Sequence, residues 1–486
     1  MKKRASLPAL PPAGAAAGPP GRGDEAGLRE DLRAILPPER LVSSPDDLFA
    51  YECDAQTLDR ALPLAVALPE TTDEVAALVR ACDRRGVPFV PRGAGTGLSG
   101  GAVAAGSLVL CTARMNRILE VDIPNRQACV QAGVVNAALD RVARPHGLHF
   151  APDPSSQYSC TIAGNVAENA GGPHTLKYGV TANHVLGLEV VLPDGTVAEL
   201  GGPAADAPGY DLAGTFVGSE GTFGIATKVR VRLTPLPEGV RTMMAVFDTV
   251  VDASRGVTGI LARGTLPAAL EMIDQKVLRA VEAHIRAGLP ADAGAMLVIE
   301  VDGLAEDLET QVRSVMEACR AAGARDLRLA RDEAERAALW KGRKQAFGAL
   351  GRLAPNYYTH DGVIPRTKLP EALAEIGRIG EKHGLTIANV FHAGDGNLHP
   401  VVLYDERQPG IIGRVRAAGE EIIRLVARLG GALSGEHGIG LEKIAYMRDF
   451  YAEEDLEEMR RLRDVFNPRG LCNPGKLIPA RGAGGP

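Results

Sequence analysis

A chain of 486 residues with 45% hydrophobic and 23% charged side chains is long enough to bury more than one core. Its net charge of −6 offers no basic face to nucleic acid, and no run of about eighteen apolar residues is present to span a membrane. The seven cysteines (Cys53, Cys82, Cys111, Cys129, Cys160, Cys319, Cys472) are scattered without a C-x-x-C pair, which suits a reducing compartment and argues against an iron–sulfur cluster or attached haem in this chain.

The opening MKKRASLPALPPAGAAAGPPGRG has the basic start of a signal peptide but no unbroken apolar core. Its prolines suit a flexible leader over residues 1–25 and a cytoplasmic protein, at most peripheral at the inner face of the cell membrane. Leu28–Leu36 reads as a first helix ended by Pro37 and Pro38. A strand is expected over Leu64–Leu68. Thr71, with Glu74 three residues on, forms a capping box that opens a helix to Arg85.

Val87–Val90 reads as a strand, and Pro91–Ala102, PRGAGTGLSGGA, follows. Five glycines within nine residues let amides crowd together without Cβ atoms, the condition for a concave anion site. Gly95, Gly97 and Gly100 spell the dinucleotide fingerprint G-x-G-x-x-G, but that loop must open a helix. Here the glycines run into SLVLCT (107–112), a strand. The stretch therefore reads as a diphosphate cradle between two strands, with a generic loop as the bland alternative.

Ile118–Asp122 and Ala128–Ala132 form a hairpin, and Val135–Arg144 a helix; the order is α+β rather than βαβ repetition. Ala151–Gly179, APDPSSQYSCTIAGNVAENAGGPHTLKYG, concentrates small residues, hydroxyls and amides that could press against a flat ring and bond its edges. A structureless loop of that length would be unusual unless functional. Val185–Leu192 and Thr196–Leu200 flank the turn Pro193-Asp194-Gly195. A third glycine-rich stretch, FVGSEGTFGI (216–225), precedes the strand Ala226–Thr234.

PRGAGTGLSGG, PDPSSQYSCTIAGNVAENAGG, KYG and GSEGTFGI, in that order, resemble the FAD-binding domain of the vanillyl-alcohol oxidase/p-cresol methylhydroxylase superfamily. The resemblance implies two α+β subdomains with FAD extended between them, over residues 26–237. It implies that Pro91, Arg92, Gly93, Ala94, Gly95, Thr96, Gly97, Leu98, Ser99 and Gly100 hold the pyrophosphate. Flavin and ribose would lie against Pro152, Asp153, Ser155, Ser156, Thr161, Ala163, Gly164, Asn165, Asn169, Gly171, Gly172, Gly218, Glu220, Gly221, Gly224, Ile225 and Asn473. Thr96 stands where some relatives carry a flavin-linked histidine, so the FAD is expected to be noncovalent.

From Val240 the texture changes to long helical patterns separated by strands: Met296–Val301 as a strand, then helices over Asp307–Ala322, Asp332–Leu350, Pro370–His383 and Ile411–Leu429. NVFHAGDGNLHP (389–400) sets His392 and His399 seven apart around a glycine-broken turn. SGEHGIG (434–440) sets Glu436 beside His437. Two histidines and a carboxylate make a competent ligand set for a divalent metal; each histidine taken alone reads more readily as structural or solvated, and it is the pair of glycine-framed clusters that reverses this.

Those clusters, with LWKGRKQAFGALGR (339–352), PNYYTHDGVIPR (355–366) and FNPRGLCNPGKLIP (466–479), resemble the C-terminal domain of the FAD-linked 2-hydroxy-acid dehydrogenases, nearest to the D-type subunits of bacterial glycolate oxidases. The resemblance implies an α+β substrate and metal domain over residues 238–479, before a tail at 480–486. It places zinc or manganese on His392, His399 and Glu436, assigns His437 to the substrate proton, and makes Arg343 a carboxylate clamp. Arg366 is a second clamp candidate or a surface arginine. D-2-hydroxyglutarate enzymes of this family carry a substrate asparagine where Val401 stands and a lysine near Thr359, so a smaller acid is expected: glycolate first, D-lactate second. The partners implied are a second flavin-type subunit and an iron–sulfur subunit. A noncatalytic flavin subunit and an NAD-dependent dehydrogenase are the rival readings.

Overall fold

The computed structural model describes residues 23–204, 208–286 and 288–481. All but the end of the expected leader lies outside them. At that end Asp24 already caps the first helix, Glu25–Ile35, by accepting from the Gly27 amide. Of the expected tail, Ala480 and Arg481 are described and are tied to Arg448 and Glu457.

The first sheet has the order β1 (Leu41–Val42), β2 (Ala65–Ala67), β4 (Leu108–Cys111), β3 (Phe89–Arg92), with β2, β4 and β3 parallel. Thr71 accepts from the Glu74 amide and starts the helix Thr72–Arg85, which ends at Gly86 with φ +63°. The reciprocal arm of the expected capping box is absent. Glu74 reaches back to the Glu70 amide instead and holds both arms of Arg40. Between β3 and β4 there is no helix: the glycine stretch crosses directly between two paired parallel strands. A dinucleotide fingerprint is thereby excluded.

The second sheet is antiparallel, in the order β5 (Ile118–Asp122), β6 (Gln127–Gln131), β10 (Ile225–Arg232), β8 (Val185–Val191), β9 (Val197–Gly201). A small ladder, β7 (Leu148–His149) with β11 (Thr234–Pro235), sits beside it. Ala151–Gly179 is less irregular than its sequence suggests. Thr161 caps a helix over Ile162–Glu168, and Asn169 ends it at φ +52°. Short polar residues at both ends supply the caps that the sequence texture hides.

The third sheet runs β15 (Asp326–Leu329), β12 (Gly239–Phe247), β14 (Ala295–Gly303), β13 (Ala269–Asp274), β18 (Thr386–His392), β19 (Asn397–Leu398), β17 (Gly362–Val363); β20 (Pro400–Tyr404) pairs with β18 and β16 (Asn356–Thr359). Leu297, Ile299 and Val301 face the helices Val250–Ala262 and Leu308–Ala321. Met296 and Val298 face Gln275–Ile285 and Ala346–Leu350. Burial on both faces explains why β14 reads as a continuous apolar run, each large side chain contributing about 1.5–3 kcal/mol. The helix expected over Asp332–Leu350 is two, Glu333–Lys344 and Ala346–Leu350, broken at Gln345, whose ψ of 3° leaves the helical range.

Among the contacts that join the halves, two involve β14 and the C-terminal segment. His174, Lys177 and Tyr178 of the first half bond Glu300 and Asp302 on β14. The C-terminal segment returns to the first sheet, where Leu471 and Cys472 enter its core and Cys472 bridges Phe89. No helix among the described residues is long and apolar enough to cross a membrane.

Candidate active site

A cavity of about 480 Å³ lies where the three sheets meet, within the range of pockets that take a cofactor-sized ligand. One wall is the glycine stretch, where Pro91 through Leu98 all line it. None of the amides from Ala94 to Ser99 has a protein acceptor among the described residues. A Cβ at Gly93 would stand 2.5 Å from Thr161 Oγ1, and one at Gly95, where φ is +70°, 2.2 Å from Arg92. Unpaired amides on a glycine-rich stretch make the kind of cradle an anionic diphosphate needs.

Ser155, Ser156, Thr161, Ala163, Gly164, Asn165, Glu220, Gly221, Gly224, Ile225 and Asn473 line the same cavity. The Asn165 amide nitrogen is buried there without a partner. These residues fit FAD. The remaining expected contacts do not line the cavity. Asp153 holds His174, Pro152 accepts from Asn136, and Asn169 accepts from Ala182. Gly172 and Gly218 have positive φ, Ser99 accepts from Leu441 and Glu442, and Gly100 packs on Leu441. Gly171 serves the opposite cluster: a Cβ there would lie 3.1 Å from Glu436 Oε2.

That cluster is built by His392 at the end of β18, His399 between β19 and β20, and the loop 434–440. His392 Nε2 and His399 Nε2 each lie 3.1 Å from Glu436 Oε1. These three residues can present one ligand atom each to a single point. His437 stacks on His399 at 4.9 Å and 4°. Burial drops the His437 pKa to about 4, with His399 and Lys443 adding and Asp361 opposing. Its Nδ1 has no partner. The ring is neutral near pH 7.

Two carboxylates missed from the sequence organise these groups. Glu271, fully buried on β13, receives Arg343 Nε at 2.7 Å and stands 2.7 Å from His392 Nδ1. Burial would raise its pKa, but His392 and Arg343 outweigh burial and hold it below the usual range. The signal was available: a glutamate inside the apolar run ALEMID. Asp361, also buried, accepts from the amides of Gly435 and His437 and from Lys443. It lies inside the THDG segment of PNYYTHDGVIPR.

Arg343 lines the cavity. Its Nη2 stands 2.6 Å from Glu271 Oε2 but is misaligned and lacks a hydrogen-bond acceptor. Arg366 is a correction: it is exposed, follows Pro365 in a short 3₁₀ turn, and donates to the Gly394 carbonyl away from the cavity. Glu220 is a partial one. It borders the cavity, but both carboxylate oxygens are taken by the Ile439 and Gly440 amides. Thr359 and Val401 are cross-strand partners, Thr359 lining the cavity and Val401 buried behind it.

Comparison with known proteins agrees with this architecture. Residues 63–201 match the family described as FAD binding domain, and residues 236–477 match FAD linked oxidases, C-terminal domain. The chain is 45% identical to glycolate oxidase subunit GlcD of Escherichia coli (strain K12), over 94% of this chain and 92% of that one. It is 40% identical to GlcD of Bacillus subtilis (strain 168), over 93% and 96%, and 33% identical to a D-lactate dehydrogenase of Archaeoglobus fulgidus, over 90% and 97%. Among solved structures, 4-ethylphenol oxidase from Gulosibacter chungangensis superposes with a TM-score of 0.78 at 20% identity, over 94% and 98%. p-Cresol methylhydroxylase gives 0.78 at 17%, over 93% and 96%; at such identity these two show the fold alone. With a cradle for FAD, an α+β fold of the p-cresol methylhydroxylase type and full-length relatives at this identity, the chain belongs to the FAD-linked oxidases that include the GlcD subunits.

Proposed function

We propose that the chain oxidises a small 2-hydroxy acid to the 2-oxo acid, with glycolate as the leading substrate, and hands the electrons to a partner subunit. The observation that carries this reading is the convergence of the Glu436–His392–His399 cluster, His437 and Arg343 on the cavity that the glycine cradle lines.

Arg343, which lines the cavity, would anchor the substrate carboxylate through guanidinium N–H groups other than the Nε held by Glu271, a charge-assisted contact. His437, neutral and with Nδ1 unpaired, would take the hydroxyl proton, a contribution of about 10²–10⁴ in rate. When bound, FAD supplies the acceptor for the hydride leaving C2. His392, His399 and Glu436 would hold a divalent cation, zinc or manganese, whose charge lowers the pKa of a coordinated hydroxyl. Thr359 and Val401 provide no cation or amide for a second carboxylate, which favours glycolate over a five-carbon diacid.

The division of labour follows the two family matches, residues 26–237 holding FAD and 238–479 holding substrate and metal, with the return of Leu471–Asn473 to the first half as the exception. A second flavin-type subunit and an iron–sulfur subunit are the proposed companions, because the scattered cysteines give this chain no cluster of its own for onward transfer. A freestanding D-lactate dehydrogenase is the second reading, favoured by the Archaeoglobus relative. Anaerobic bleaching of the flavin spectrum, substrate by substrate, tests both: glycolate should bleach fastest. Absence of bleaching by every small 2-hydroxy acid overturns the proposal.

A further inference from the structure

The loop that carries Glu436 and His437 hangs from two carboxylates belonging to opposite halves of the molecule. Asp361, beside β17, accepts from the Gly435 amide at 2.9 Å and the His437 amide at 3.1 Å. Glu220, from the glycine-rich stretch before β10, accepts from the Ile439 amide at 2.6 Å and the Gly440 amide at 2.7 Å. Glu220 is itself fixed on three sides. Its amide donates to Ala167, at the end of the cavity helix. Its carbonyl accepts from Asn473 at 2.6 Å. Its backbone takes φ +49°, a conformation that non-glycine residues rarely adopt.

We infer that Glu220 is a positioning residue: it sets the place of His437 and Glu436 relative to the cofactor wall, rather than binding the cofactor with its side chain. Gly438 lies between the two anchors at φ +86°, and a Cβ there would stand 2.8 Å from Glu220 Oε1 and 2.6 Å from Glu168 Oε2. The loop is thus pressed against the first half with no room for a side chain. Hydride transfer requires donor and acceptor within about 3–3.5 Å, and a displacement of about 1 Å can cost roughly 10²-fold in rate. The carbon that gives the hydride is held by the second half, and the acceptor is held by the first. A direct strut between the halves at this point registers one against the other. Two carboxylate oxygens, each held by one backbone amide, fix it at two points.

The inference rests on the proposed roles of His437 and Glu436. Its test is a Glu220→Gln variant of the full holoenzyme, in which an amide nitrogen faces one of the two N–H donors. FAD per chain and the flavin spectrum should stay at wild-type values, with a modest fall in thermal midpoint from the one amide left unsatisfied. The bleaching rate at saturating glycolate should fall about 10–100-fold, with a much smaller change in KM. Loss of FAD with a normal rate per remaining flavin would make Glu220 a cofactor ligand and overturn the inference, as would an unchanged rate. Hydrogen exchange at the Ile439 and Gly440 amides of the wild-type protein decides the matter if the variant does not fold: slow exchange supports the strut, and exchange at the rate of an open loop overturns it. That measurement needs no substrate, so it stands even if no 2-hydroxy acid bleaches the wild type.

Discussion

Glu271 holds Arg343 with one carboxylate oxygen and His392 with the other, each at 2.7 Å, and has no solvent exposure. One buried charge therefore orients both the proposed carboxylate clamp and a proposed metal ligand. Carboxylate partners of this kind fix the tautomer and raise the basicity of a ligating histidine.

Replacing Glu271 with glutamine should weaken metal binding about 10–100-fold. It should also destabilise the protein by about 3 kcal/mol, because Arg343 loses its buried counter-charge. Chelator competition reads the first effect and denaturant unfolding the second. Wild-type metal affinity in E271Q would remove Glu271 from the site.

His399→Ala is expected to retain FAD while losing bound metal and substrate-dependent bleaching, since Glu436 and His392 alone leave the ligand set incomplete. Elemental analysis beside anaerobic spectra is the check. Full bleaching by a protein without metal would sink the metal role.

Thr96 lines the cavity and cannot form a histidyl link to flavin. Acid precipitation should leave the yellow colour in the supernatant. Colour retained in the pellet would show a covalent bond.

Glu442 gives a pH prediction. Its side chain is 1% exposed, Oε1 accepts from Tyr358, and Oε2 has no partner. Burial raises its pKa from 4.5 to about 7, with Lys443 opposing. The folded state thus binds the proton more tightly than the unfolded chain, so this contribution is complete below pH 4.5 and is lost as pH rises through about 7. Glu442→Gln cannot ionise. It should be more stable than wild type at pH 8, by on the order of 1–3 kcal/mol, and show little advantage at pH 5. Thermal midpoints at the two pH values measure this, and an equal difference at both would refute it.

The chemistry-bearing segments were legible because each announces itself locally. A glycine-dense stretch between two strands, a pair of histidines around a glycine turn, and Glu436 beside His437 are patterns of neighbours, and so are Thr71 as a cap and MLVIEV as a buried strand. The helix Ile162–Glu168 was not, because its polar caps and small residues look like loop texture until the backbone closes. Arg343 was the first clamp candidate in sequence and Arg366 the second, the latter reading equally well as a surface arginine. Only tertiary structure separates them, by burying the first against Glu271 and leaving the second exposed beside the Gly394 carbonyl.

The sequence by itself determined the α+β order, the family resemblance and the identity of His392, His399, Glu436 and His437, since those rest on spacing within short segments. The tertiary structure decided how the segments meet. Glu271 reaches Arg343 72 residues away and His392 121 residues away, and Glu220 reaches the loop that holds His437 across 219. Contacts of that separation have no local signature. A buried carboxylate takes its role from whichever donors the fold brings to it, and burial makes an unpaired charge too costly to leave.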